Sequence, residues 1–206
     1  MQRKFFDIIV SGIGAVVVVA LLVAGGLLTW GASFANSNVH NQLEQQQVYF
    51  PPKVAFADPK AGTEITPSMI PTVSQYAGQQ VLTGQQAEVY ANDFISQHLA
   101  EMPYHGVYAN VSAAARAATP GSPQAAKLTA LESTVFQGTT LRGLLLEAYG
   151  FSVMGTIAFW GAVASFGLAA VMLVLVVLGL LHARRTPETA QLLVHSASEE
   201  EETNAA

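Results

Sequence analysis

The chain of 206 residues has no cysteine. This excludes a disulfide framework, a thiolate metal site and a cysteine nucleophile. Charge is scarce too: Asp, Glu, Lys and Arg make up 11% of the residues, less than half the share of about 25% in an average soluble domain. The formal charge is −5, which lacks the basic footprint that nucleic-acid binding requires. There is no H-E-x-x-H, no pair of E-x-x-H motifs and no G-x-S-x-G. Gly12, Gly14, Gly25 and Gly26 lie in an apolar run with no Lys-Ser/Thr after them, so they read as helix-packing residues and not as a phosphate loop. The motifs assign no reaction, and neither a catalytic residue nor a cofactor is expected.

What the chain has is apolar surface, in 51% of its residues, with a mean hydropathy of +0.36. It is concentrated in two charge-free blocks, Ile8–Trp30 and Phe151–Leu181. At about 1.5 Å rise per residue, each covers a hydrocarbon core of about 30 Å. The second block is longer than one crossing needs. Its early part, with Ser152, Thr156 and glycines, is expected to stand above the bilayer on protein. Arg3 and Lys4 precede the first block, and His182, Arg184 and Arg185 follow the second. Positive charge stays on the cytoplasmic side, so both termini are expected inside. The rival reading of the first block is a cleaved signal peptide ending at Ser33-Phe34-Ala35, but a signal core has only about 7–15 apolar residues.

These expectations divide the chain into a cytoplasmic N-terminus (1–7), a first transmembrane helix (8–30), an extracytoplasmic helical domain (31–147), a second transmembrane helix with an outer extension (148–181) and a disordered acidic cytoplasmic tail (182–206). The fold class is an all-α membrane protein: two transmembrane helices with a small, mainly helical extracytoplasmic domain between them.

Within 31–147, a polar helix is expected to continue from the first span to Gln47, leaning on neighbours through Val39, Leu43 and Val48. Residues 51–71 carry five prolines and read as a long loop, the part most open to partners. Thr83 followed by Gln86 forms a capping box for a helix running to about Met102. Its apolar arc is Ala87, Tyr90, Ala91, Phe94, Ile95, Leu99 and Met102, with Val89, Asp93, Ser96, Gln97 and Ala100 pointing away. A short alanine-rich helix is expected over 107–118. Ser122 and Pro123 start the next helix, which presents Leu128, Leu131, Val135, Leu146 and Tyr149 to the first. Gly138 there marks a kink or a close helix contact.

Two sets of site residues stand out. His98, with Glu101 three residues on and His105 after Pro103, is a candidate metal or proton-transfer cluster; the plainer reading is a core histidine bonded to a tyrosine or a backbone carbonyl. In the spans, small residues four apart allow close helix approach in lipid: Ala158 with Ala162, Gly161 with Ser165, Ser11 with Ala15, and Ala20 with Ala24. They pack the two spans together or dock another membrane protein. No ionisable residue lies within either block, which argues against a transporter or pump.

Gly25–Ala35, Val39–Leu43, Tyr49–Pro51, Tyr76–Ile95 and Phe136–Leu146 together resemble a family of uncharacterised two-span membrane proteins of actinobacteria. The resembling blocks are spread over most of residues 5–185. Similar chains are sometimes labelled aromatic ring-opening dioxygenases. The label is not carried over, because such enzymes hold iron with histidines and a carboxylate, a set this chain does not show. The expected function is a non-catalytic accessory or scaffolding protein of the cell envelope. Its expected partners are the lipid bilayer and other membrane proteins or itself, and not nucleic acid. The alternative is an extracytoplasmic ligand-binding protein or metal-dependent enzyme built around His98.

Overall fold

The computed structural model describes residues 3–60 and 64–186. It is 84% helix, with no strand among the described residues. Two helices dominate: α1, Arg3–Gln46, and the last helix, Pro123–Arg185. Both are long and apolar enough to cross a membrane. A helix buried in the core of a soluble protein is covered by its neighbours, whereas only 22% and 11% of their most apolar stretches are buried here. Ser33, Phe34 and Ala35 lie in mid-helix, and Ala35 is buried. The acidic tail from residue 187 onward lies outside the described residues. The helix runs through His182 to Arg185, so the helical part of the chain extends past the boundary drawn from sequence at residue 181.

The chain forms two compact units, Met1–Thr29 with Phe159–Ala206, and Trp30–Ala158. Residues 151–158 of the second apolar block belong to the latter.

In the 30–158 unit, α1 stops where Gln47 takes a left-handed conformation (φ 51°), four residues before the Pro51-Pro52 pair. Residues 48–51 then pair antiparallel with 78–81: Phe50 N–H donates to the Gln79 carbonyl, and Val81 N–H to that of Val48, each at 2.9 Å. Between them run 3₁₀ turns at Lys53–Phe56, Pro67–Met69 and Ser74–Tyr76, and a one-turn helix α2, Ile70–Val73. This corrects the reading of 51–71 as an open loop. Ile65, Met69 and Val73 are fully buried and sit in the same core as Val39, Leu43 and Phe50. Proline broke the regular pattern without making the segment polar: Pro67 and Pro71 occupy first-turn positions, where their missing N–H leaves no bond unmade.

The capping box is present. Thr83 Oγ1 accepts from Gln86 N–H, and Gln86 Oε1 accepts from Thr83 N–H. The helix it starts runs as α3 (Gly84–Val89), a π-helical stretch (Tyr90–Ile95) and α4 (Ser96–Glu101). Val89, placed on the wet face from sequence, packs partly buried against the core. A turn at Pro103–Gly106 leads to α5, Tyr108–Ala117, and Ser122 Oγ accepts from Ala125 N–H to cap α6, Pro123–Arg185. On α6, Leu128 and Val135 are buried as expected; further along, the residue in the core cluster is Leu145, with Leu141 beside it, and Leu146, one position on, is only partly buried.

Two glycines fix how closely this layer packs. At Gly138 an added Cβ would lie 3.0 Å from Leu99 Cδ2, so the residue is a close contact. At Gly84 it would overlap the Cβ of Ser152 and come within 3.3 Å of the Tyr149 backbone. We expect Gly84→Ala to destabilise the protein by about 1–3 kcal/mol, the usual cost of overpacking. Gly150→Ala, in a helical position with open space around it, should be neutral or slightly stabilising. Thermal unfolding of both variants in detergent checks the contrast.

Candidate functional site

In the unit that contains the chain ends, the two long helices meet along a seven-residue repeat. On α6, Ala162, Ala169, Val176 and Ala183 are buried, with Ser165, Met172 and Gly179 half-buried between them. On α1, Ser11, Gly14, Val18 and Gly25 are buried, and Leu21 and Leu28 half-buried. The contacts run antiparallel: Ser11 meets Gly179, Gly14 meets Val176, Gly25 meets Phe166, and Leu28 meets Gly161. A period of 3.5 residues belongs to a left-handed supercoil, the common geometry of membrane helix pairs.

Of the expected packing residues of α6, Ala162 is buried and Gly161 and Ser165 are half-buried in this unit, while Ala158, also half-buried, belongs to the 30–158 unit. The four-apart reading misplaced two residues on α1. Ala15 and Ala20 are exposed, because a seam of period 3.5 alternates steps of three and four and so pairs Ser11 with Gly14.

At one end of this seam lies a pair that the sequence reading placed outside the spans. Asp7 Oδ2 is 3.9 Å from His182 Nε2 and, although buried, has no hydrogen-bond partner. Both residues line a cavity of about 430 Å³ with Ser11, Gly14 and Met172. Asp7 and His182 are 175 positions apart in sequence, and only the antiparallel pairing of the helices joins them.

The His98 cluster does not converge. His98 Nδ1 donates to the Phe94 carbonyl at 2.8 Å, one turn back, and its ring packs edge-on against Phe94 at 4.5 Å. Glu101 and His105 are exposed. Among the described residues no three His, Asp or Glu side chains are grouped to hold a metal. His98 lines an apolar cavity of about 290 Å³ with Leu99, Met102 and Gly138. Tyr104, His105 and Gly106 all have left-handed backbones (φ 60°, 54° and 61°), and Gly106 abuts the Leu99 carbonyl. This turns the tip that carries Tyr104 and His105 away from His98.

The π-helical stretch carries two rings of an aromatic chain of four. Rings pack in the order Tyr76, Phe50, Tyr90, Phe94, with centroids 5.1, 5.2 and 4.9 Å apart. Opposite, Arg142 Nη2 donates to Asn92 Oδ1 at 2.9 Å across fifty positions of sequence. Burial, and after it the carboxylate of Glu64, pushes the Tyr90 phenol above its ordinary value.

Around Gly84 and Ser152 lie two adjoining cavities of about 460 and 510 Å³ with mixed polar and apolar walls, which share Asn36, Thr83 and Ser152. Their residues come from the polar extension of α1, the capped start of α3 and the early part of the second apolar block. The sequence showed each as polar but not that they converge.

No protein-family model matches the chain, and neither the curated proteins nor the solved structures yield a match. What the protein does is therefore argued from its own residues.

The phenol of Tyr90 gives a pH prediction. Its folded value is raised, so the neutral form is favoured in the folded chain. That contribution to stability is complete below the unfolded value of about 10 and is lost as pH rises through the raised folded value. We expect Tyr90→Phe to flatten the loss of stability on the alkaline side, and the wild type to show a phenol ionising above its ordinary value that the variant lacks. Spectrophotometric titration with parallel melting curves checks both.

Proposed function

We propose that this is a membrane-anchored, non-catalytic accessory or scaffolding protein of the cell envelope that acts through contact with another membrane or envelope protein. In this reading both termini are cytoplasmic and the segment 31–147 is extracytoplasmic. The approach of Asp7 to His182 supports the first point, since it brings the start of α1 and the end of α6, with their flanking Lys4, Arg184 and Arg185, to one end of the helix pair.

The observation that carries the contact reading is an aromatic patch on the 30–158 unit. Tyr108 and Phe136 pack ring to ring at 5.8 Å, yet remain 41% and 56% exposed. Tyr104 and Val107 beside them in sequence are exposed as well. Phe136 precedes Arg142 and Glu147, outside the charge-free block, so in this topology its surroundings are aqueous. The unit's own core is closed without these residues. Rings held out in water next to a complete core mark a surface that a second protein covers. A ligand site at His98 has the neighbouring cavity in its favour, but the ring nitrogen bound to Phe94 and the outward Glu101 and His105 place it second.

The test is purification in a gentle detergent, comparing the wild type with a Tyr108→Ser, Phe136→Ser double variant. The wild type should elute in a larger assembly with a membrane or envelope protein in constant proportion, and the folded variant should elute without it. A wild type that elutes alone as a monomer, or a variant that keeps the whole assembly, contradicts the proposal.

A further inference from the structure

We propose that the polar cleft around Ser152 binds the neutral, polyhydroxylated headgroup of a membrane glycolipid. The inference rests on the two long helices crossing a bilayer and is independent of the contact reading above.

The cleft is built, and not a gap left by loose packing. The close approach of Gly84 to Ser152 and to the backbone of Tyr149 joins the start of α3 to α6. Both cavities are lined by Ser152 and Thr83 at that contact. Neither is apolar. One is faced by the amides of Asn36 and Asn41 and the imidazole of His40. The other is faced by Gln85, Tyr149 and Thr156, and the Ser152 hydroxyl serves both.

The chemistry of these walls selects the ligand. Amides and hydroxyls both donate and accept hydrogen bonds, which matches a row of ligand hydroxyls that do the same. A phosphate offers acceptors alone and is bound where Arg, Lys or a cluster of N–H donors converge. No Lys or Arg is among the residues facing either cavity, and the one carboxylate, Glu88, repels an anion. Tyr149 adds a flat apolar body with a polar tip, a suitable wall for the C–H face of a sugar.

Depth selects the source. Trp30 is 68% exposed and stacked on Phe34 at 5.8 Å. Exposed tryptophan on a membrane helix sits at headgroup level. Asn36 follows Trp30 by six residues of the same helix, about 9 Å further out. The interfacial layer on each side of the hydrocarbon is itself about 5–8 Å deep, so the cleft lies at its outer edge, where a sugar headgroup projects. Phe34, Val153 and Ile157 are exposed apolar side chains, Phe34 between Trp30 and Asn36 on α1 and Val153 in the wall of the cleft itself. They offer acyl chains a path that a free sugar has no use for.

The test places the full chain in nanodiscs of phosphatidylcholine containing a minor share of either digalactosyl diacylglycerol or phosphatidylglycerol. Lipid retained after detergent transfer is counted by native mass spectrometry. The galactolipid should be retained at about tenfold enrichment over phosphatidylcholine, and an Asn36→Leu, His40→Leu variant, altered only at exposed positions, should lose the enrichment while melting as the wild type does. Gln137→Leu, beside the separate His98 cavity, should keep it. Retained lipid that mirrors the bilayer, a preference for phosphatidylglycerol, or undiminished retention by the cleft variant overturns the proposal. Displacement by free methyl galactoside as effective as by the galactolipid assigns the cleft to a soluble sugar and overturns the lipid source. A chain that does not enter nanodiscs overturns the membrane reading, and this proposal with it.

Discussion

The antiparallel seam between α1 and α6 is the contact on which the two long apolar helices, each able to cross a membrane, depend. In lipid, apolar side chains gain nothing by leaving one apolar surface for another, so helices associate through close packing and hydrogen bonds. The seam meets that requirement with small residues: Gly14, Gly25, Gly161 and Gly179 on one helix or the other lie opposite larger neighbours, and an added Cβ at Gly14 would stand 2.7 Å from Val176. The bulky residues, Val16, Leu27, Leu173 and Leu178 among them, face outward, as lipid solvation allows. An ordinary soluble helix inverts this arrangement.

The 30–158 unit follows different rules. Its core is the ordinary hydrophobic kind, with Met69, Val73, Val81, Ala87 and Ala91 fully enclosed. Local signals fix where its helices begin, at Thr83 with Gln86 and at Ser122 with Pro123. Long-range contacts fix the rest: Arg142 reaches Asn92, the 48–51 and 78–81 segments pair, and Gly84 admits Ser152. The polar cleft and the aromatic patch are by-products of those contacts. Both take side chains from segments far apart in sequence, and this leaves chemistry at the surface without any motif to announce it.

Much of the fold was legible because it rests on local physics. Two charge-free blocks give two long helices, caps give helix starts, and the apolar arc of Ala87, Ala91, Ile95 and Leu99 gives a buried face. Three features were not legible. Ile65, Met69 and Val73 recur at steps of four, but prolines hide them in what reads as a loop. The π-helical stretch has no sequence signature. The seam's 3.5-residue period appears only in the partner's presence, since small residues are frequent enough in both spans to offer a four-apart pattern as well. The candidate sites were less legible still. His98 was visible as a chemically capable residue, and its plainer reading, a bond to a backbone carbonyl, is the one found at Phe94; the pairing of Asp7 with His182 depends on the seam and was not visible.

The central claim is that the two apolar helices form this antiparallel pair within a membrane. The chain's lack of cysteine makes a direct measurement possible. In Ser11→Cys, Gly179→Cys the two Cβ atoms stand 3.8 Å apart, the separation a disulfide adopts; in Ile13→Cys, Gly179→Cys one partner is on the exposed face. Oxidation in native membranes, read as an intramolecular mobility shift, should cross-link the first pair and leave the second free. Equal cross-linking of the two pairs, or none in either, would contradict the account.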